Sequence, residues 1–124
     1  MNRLAPALLA SALFALACHR EPAASAPPKP VGNADRGKQL ITQYGCTVCH
    51  MTPGIAGPQG VLGPSLAGVG SRPTLSNNTF ANTPMNIAQF IQTPASMNPA
   101  SSMPPLGVAP ADAQDIAAYL TTLR

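Results

Sequence analysis

Residues 51–83 show neither a helical nor an alternating period, and Gly54, Gly57, Gly60, Gly63, Gly68 and Gly70 punctuate them. They run between two helical patterns. Structureless loops beyond about 15 residues are uncommon in compact domains unless they serve a function or stay disordered. A segment of this kind needs something to wrap around, and the side chains do not supply it. Among 124 residues there are two tyrosines, three phenylalanines and no tryptophan, against 15 prolines and 10 glycines. A single small domain this poor in bulky apolar groups buries too little surface to hold together without a metal, a disulfide or another staple.

The ordered parts are helical. Asn33 can cap a helix over residues 34–44, with Asp35 in its dipole-favourable first turn and Gly45 ending it. Gly37, Leu40, Ile41 and Tyr44 then share one face. Thr83 caps a second helix over residues 84–92, with Pro84 at its first position and Pro94 stopping it. Its apolar face is Ile87, Phe90 and Ile91. A third helix spans residues 110–123, with Asp112 near its start and Arg124 at its end. Ile116, Tyr119, Leu120 and Leu123 form its stripe. All three stripes read as core packing. No stretch alternates for long enough to predict a sheet, and no internal repeat is present.

Directly after the first helix stands Cys46-Thr47-Val48-Cys49-His50, a C-x-x-C-H and the c-type haem attachment signature. Two intervening residues let both sulfurs reach the vinyl groups of one porphyrin as thioethers, and the adjacent histidine brings Nε2 to the iron. A thioredoxin-like C-x-x-C would need a βαβ surrounding, which this helical sequence lacks. A zinc site would need a second Cys/His pair, and residues 32–124 hold no other Cys or His. A disulfide between Cys46 and Cys49 would leave His50 without a role. One motif predicts one haem, which would also fill the missing core.

The iron then needs a sixth ligand or keeps an open site. His19 lies before a proline-rich spacer. Met51 adjoins His50 and cannot cross to the opposite haem face, and Met85 falls inside the second helix, where packing is expected. Met97 and Met103 lie between the second and third helices. Met103 is the better candidate, because Pro104 and Pro105 stiffen its loop and the third helix anchors it. For any single methionine, filling a gap is the competing role.

Residues 1–17 read as an export signal. Arg3 precedes an apolar stretch at residues 4–17, shorter than the ~20 residues a transmembrane helix needs. Ala15-Leu16-Ala17 is a small-x-small cleavage pattern. With Cys18 it resembles a bacterial lipobox, in which the cysteine becomes the lipidated first residue, although leucine stands two places before the cysteine rather than three. The alternatives are a retained membrane anchor and an ordinary soluble mature chain. Residues 18–31 are rich in Pro and Ala, the composition of a semi-rigid tether. Residues 32–124 form the working domain, and the chain is expected in the periplasm or tethered to a membrane facing it.

The formal charge of +3 and pI near 9.1 do not mark a nucleic-acid binder. From residue 31 onward Arg36, Lys38, Arg72 and Arg124 face Asp35, Asp112 and Asp115, a net of +1 with no basic cluster.

The order of elements resembles class I cytochromes c over residues 33–124. It runs helix, C-x-x-C-H, Gly63-Pro64-Ser65-Leu66, short middle helix, Met103-Pro104 and a last helix bearing Ala118-Tyr119-Leu120. Within that class, Gly70-Ser71-Arg72, Asn82-Thr83-Pro84, Pro94 and Met103-Pro104 are similar to the cytochrome c domain fused to subunit II of some haem-copper oxidases. This sequence lacks the copper-binding part. The resemblance implies an all-α fold of three main helices, with long loops wrapped around one covalent haem. It implies that Pro64 accepts from His50 Nδ1–H, that Gly37 and Tyr119 meet where the first and last helices cross, and that Arg72, with Asn82 or Thr83, faces a haem propionate. Ile41 stands where the family often has an aromatic residue. Phe90 stands where a tryptophan is common, and it has no N–H to offer a propionate.

His50 and Met103 together would fill both axial positions and leave oxygen and peroxide no iron site, and a Met ligand raises the potential. The expected function is single-electron transfer rather than catalysis. The rivals are a haem peroxidase or gas sensor with a labile Met103, and a non-haem thiol module using Cys46 and Cys49. Redox proteins are the expected partners of a monomer, a terminal oxidase or another respiratory complex among them, docking through small, largely apolar contacts at the haem edge.

Overall fold

The computed structural model describes residues 31–124. The expected export signal, Cys18 and all of the tether except Val31 lie outside the described residues. The chain runs α1 (Ala34–Gln43), a short antiparallel pair β1 (Thr74–Leu75) and β2 (Phe80–Ala81), α2 (Pro84–Gln92), α3 (Pro94–Met97) and α4 (Pro110–Leu120). No helix among the described residues is long and apolar enough to cross a membrane.

Helix α1 starts where Asn33 accepts from Arg36 N–H at 3.0 Å. It ends at Tyr44, and Gly45 follows in the left-handed region (φ 69°), a conformation that glycine adopts at no steric cost. That turn directs the chain straight into the C-x-x-C-H. Helix α2 starts where Thr83 accepts from Asn86 N–H at 3.1 Å, with Pro84 at its first position. These two helices have the predicted starts and, within a residue, the predicted ends.

The last helix lies against both α1 and α2. It is buried over Asp115, Ile116, Ala117, Ala118, Tyr119 and Leu120, more of its circumference than the predicted stripe. The small side chains of Ala113, Ala117 and Ala118 let its neighbours come close. The core is Leu40 and Ile41 from α1, Ile87, Ala88 and Ile91 from α2, the buried α4 residues, and Val69 and Val108 from the loops.

Four expectations are corrected. A sheet exists, although only two residues long on each side, pairing Thr74 with Ala81 and Leu75 with Phe80. Strands that short cannot show alternation; their turn uses Ser76, Asn77 and Asn78, all with positive φ. Pro94 does end α2, but it also opens the single turn α3, since proline is tolerated at a first helical position. Met97 therefore closes a helix rather than lying in open loop. The last helix ends at Leu120, not 123. There the hydroxyls of Thr121 and Thr122 donate to Ala118 O at 2.7 Å and Tyr119 O at 2.6 Å, and Leu123 O accepts from Gly70 N–H at 2.8 Å. Met85, expected to pack, is 77% exposed.

Where α1 crosses α4, Gly37 lies on the backbone of Asp115 and Ile116. Tyr119 sits one turn further on and donates its hydroxyl to Pro53 O at 3.0 Å. The glycine thus meets the α4 main chain rather than the tyrosine. Arg36 ties the same helices together, donating to Asp115 and, at 2.5 Å, to Asp112. Asp112 also accepts from the Tyr44 hydroxyl at 2.7 Å.

Candidate functional site

Cys46–Val48 is one turn of 3₁₀ helix, closed by Val48 N–H on Gly45 O at 3.0 Å and Cys49 N–H on Cys46 O at 3.3 Å, and His50 N–H also donates to Cys46 O at 3.0 Å. Residues three apart eclipse one another in such a turn, so Cys46 and Cys49 come to the same side. The two are not joined in a disulfide, both are partly buried, and Cys46 packs against the core. Burial raises the Cys46 thiol above its ordinary pKa. A redox-active thiol needs the reverse shift, because the thiolate is the nucleophile.

The loop after the motif folds back along it. Gly60 N–H donates to Thr47 O at 2.7 Å and Gly63 N–H to Cys49 O at 2.8 Å. His50 Nδ1 lies 2.7 Å from Pro64 O. A carbonyl only accepts, so Nδ1 carries the proton and the Nε2 lone pair is left for a metal. The imidazole lies flat over Gly63, where a Cβ would fall 2.6 Å from Nδ1. Gln59 clasps the intervening turn, donating from Nε2 to Thr52 O at 3.1 Å and to Ile55 O at 2.6 Å, while its Oε1 accepts from Thr52 N–H.

Arg72 turns onto its own loop, donating from Nη2 to Ser65 O at 2.7 Å and Ala67 O at 2.9 Å. Asn82 Nδ2 donates to Val69 O and Arg72 O, both at 2.7 Å. Asn82 Oδ1 and Thr52 Oγ1 are buried and find no partner among the described residues. Met103 lies in the irregular stretch between α3 and α4, partly buried, with its N–H on Ser101 Oγ at 3.2 Å. Met97 is partly buried at the end of α3. The structure thus brings Cys46, Cys49, His50, Gly63 and Pro64 together and places Arg72 and Asn82 on one loop junction.

These residues fit a haem. The donor set is two thiols and an imidazole oriented by a carbonyl. No cluster of three or more His, Cys, Asp or Glu among the described residues offers a metal another home. Of the residues that build the site, sequence reading did not single out Gly63 as the platform for the ring, nor Gln59. The glycine beside Pro64 in Gly63-Pro64-Ser65-Leu66 was a usable signal; nothing marks Gln59 among ordinary loop residues.

An all-α chain whose helices carry loops around a C-x-x-C-H with its histidine already oriented is a covalent haem protein. The family model described as Cytochrome c matches residues 34–124. The chain belongs to the cytochrome c family, with the class I fold, and it carries haem c bonded through Cys46 and Cys49. No curated protein sequence matches it. Among solved structures it is similar to cytochrome c2 from Rhodobacter sphaeroides (22% identity, TM-score 0.60, covering 75% of this chain and 97% of that one). It is similar also to cytochrome c2 from Rhodobacter capsulatus (22%, 0.56, 73% and 97%). A third is ferric cytochrome c-550 from Paracoccus versutus (20%, 0.57, 75% and 98%). At these identities the likeness is one of fold. A cytochrome c of this kind is an electron carrier and not an enzyme.

Proposed function

We propose that the protein is a single-electron carrier whose haem iron is held by His50 on one side and Met103 on the other. The observation that carries this reading is the bond between His50 Nδ1 and Pro64 O, which commits the ring to the tautomer a metal requires. Bound there, haem supplies a one-electron couple; the protein supplies its orientation, insulation and tuning. Pro64 holds the imidazole and Gly63 lets it lie flat; Arg72, whose Nη2 is already held by Ser65 O and Ala67 O, is the residue that would meet a propionate with the rest of its guanidinium. Met103 is preferred to Met97 because it lies in an irregular segment and is followed by two prolines, whereas Met97 is fixed as the last residue of α3.

The chain works as an exported monomer, in the periplasm or tethered through lipidated Cys18. Its acceptor is a terminal oxidase or another respiratory complex, in keeping with the likeness to cytochrome domains fused to oxidase subunit II. The test uses protein matured in a host that attaches haem. Its mass should carry one haem, and its ferrous form should not bind carbon monoxide until Met103→Ala opens the iron, whereas Met97→Ala should remain closed. Ready carbon monoxide binding by the unmodified protein would replace this reading with a haem sensor or peroxidase. A mass without haem would replace it with thiol chemistry at Cys46 and Cys49.

A further inference from the structure

Ser76, Asn77 and Asn78 are the only non-glycine residues with positive φ among the described residues, at 51°, 56° and 64°. Left-handed backbone is unfavourable for L-residues, and they normally visit it singly. Strain of this kind persists only where the surroundings fix it, and it gathers at functional positions. Here the surroundings are firm. Leu75 pairs with Phe80 across the turn, and Phe80 packs against Phe90 of α2 with ring centroids 5.1 Å apart. The hairpin is thereby fastened to a helix that itself lies on α4.

The segment that carries Met103 is the opposite case. Residues 98–109 contain no helix or strand. From Ser102 to Val108, Met103 N–H is the one backbone donor that finds an acceptor within the described residues, Ser101 Oγ at 3.2 Å. The far end of the segment is anchored by Val108, buried in the core. Its near end is anchored by Asn98. Asn98 Nδ2 donates to Ser76 Oγ at 2.8 Å, and its Oδ1 accepts from Ala100 N–H at 3.0 Å. Asn98 O accepts from Ser101 N–H at 2.9 Å. One residue thus ties the hairpin turn to the short stretch whose Ser101 hydroxyl holds Met103.

We propose that Ser76 and Asn98 form a latch between the hairpin and the Met103 segment, and that they are positioning residues for the sixth ligand. The proposal rests on the reading of Met103 as that ligand. The strained turn presents a hydroxyl from a rigid support, and Asn98 transmits that support to a segment with few bonds of its own. Its work is to keep Met103 in place, so that small molecules from solution do not take the ligand position. Neither side chain needs to touch the metal to do this.

Imidazole added to the ferric, haem-loaded protein is the probe. It competes with Met103, so its apparent affinity scales with the fraction of molecules in which Met103 is released. One lost hydrogen bond should raise that fraction, and the affinity, about fivefold. Ser76→Gly is the decisive variant. It removes the hydroxyl but suits a positive φ, so the turn loses strain rather than shape. Its denaturant midpoint should not fall, while imidazole binds about fivefold tighter and the Met103 amide exchanges faster. Asn98→Ala should also tighten imidazole binding, and Ser76→Gly combined with it should add nothing further, because both break the same bond. Asn77→Gly relieves the neighbouring positive φ without touching the latch, and it should leave imidazole affinity unchanged.

If Met103→Ala raises imidazole affinity while Ser76→Gly and Asn98→Ala do not, the latch is overturned and Met103 remains the ligand. If Asn77→Gly matches Ser76→Gly, the turn backbone rather than the hydroxyl is responsible, and the proposal is overturned. If Met103→Ala leaves imidazole affinity unchanged, the ligand reading fails and the latch fails with it.

Discussion

Gly37 of α1 rests directly on the carbonyl of Asp115 in α4. A Cβ at Gly37 would overlap that oxygen and fall 3.0 Å from Ile116 N. Backbone against backbone cannot be relieved by turning a side chain, so Gly37→Ala must push the two helices apart. The helix that moves is the one that leads through Gly45 into Cys46. We expect Gly37→Ala to destabilise the haem-loaded protein by about 3 kcal/mol, read as a lower denaturant midpoint. Alanine's better helix propensity, worth only about 1 kcal/mol, is too small to cancel that clash.

Around that crossing, two carboxylates titrate below their ordinary range. Asp112 is lowered by the Tyr44 hydroxyl and then by Arg36; Asp115 is lowered by Asn33 N–H and then by Arg36. An unfolded aspartate titrates near ~3.9, so between that value and the native ones the unfolded chain binds more protons. Stability from these groups is therefore fully present above about pH 5 and is lost as pH falls through the depressed native values. The protein should resist denaturant equally at pH 7 and 6 and lose resistance below about pH 4. Asp112→Asn with Asp115→Asn should lower the midpoint at neutral pH and flatten that acid limb. An acid limb unchanged in this pair would place the sensitivity elsewhere.

Much of this was legible in the residues because short-range rules governed it. Asn33 and Thr83 cap the helices they were expected to cap, and Gly45 stops α1, because a cap is a contact within three residues. Cys46-Thr47-Val48-Cys49-His50 was legible because its spacing is the chemistry. What escaped was set at long range or fell below the resolving power of periodicity. The end of α4 depends on Gly70, far away in sequence, taking the Leu123 carbonyl. The β1–β2 pair is too short to alternate. Pro94 predicts a stop, which it is for α2, while its second use as the start of α3 depends on the turn that follows. Gly37 was placed at the crossing by resemblance, but its contact is α4 main chain, which no side-chain pattern encodes.

Asn82 joins two stretches of the loop that covers the site. Its Nδ2 serves both Val69 O and Arg72 O at 2.7 Å. Removing it leaves two carbonyls short of a donor in a partly buried setting, worth roughly 1–3 kcal/mol together. Asn82→Ala should lower the thermal midpoint accordingly. Because Arg72 is held from the other side by Ser65 O and Ala67 O, we expect local loosening first, seen as faster amide exchange at Arg72 before that of the α1–α4 core. Simultaneous loss of protection at both would show that the loop and the helices open as one unit.

The closest test of the site itself is at Gly63. The His50 ring lies flat over this residue, and a Cβ there would stand 2.6 Å from Nδ1, the atom that lies 2.7 Å from Pro64 O. Gly63→Ala therefore cannot keep both the ring position and that hydrogen bond. Partners that orient a ligating histidine typically affect metal affinity or activity by about 10–100-fold. We expect Gly63→Ala to mature with less haem per chain, and the haem-loaded fraction to show a shifted reduction potential, because Nδ1 no longer donates strongly to a carbonyl. Gly57→Ala serves as the comparison. A Cβ at Gly57 meets nothing within 4 Å, but its φ of 101° is strained for alanine, so it costs stability without touching the ring. Equal potentials in the two variants and the unmodified protein would show that the Pro64 carbonyl does not tune the histidine. A shift confined to Gly63→Ala would tie the tuning to this one contact.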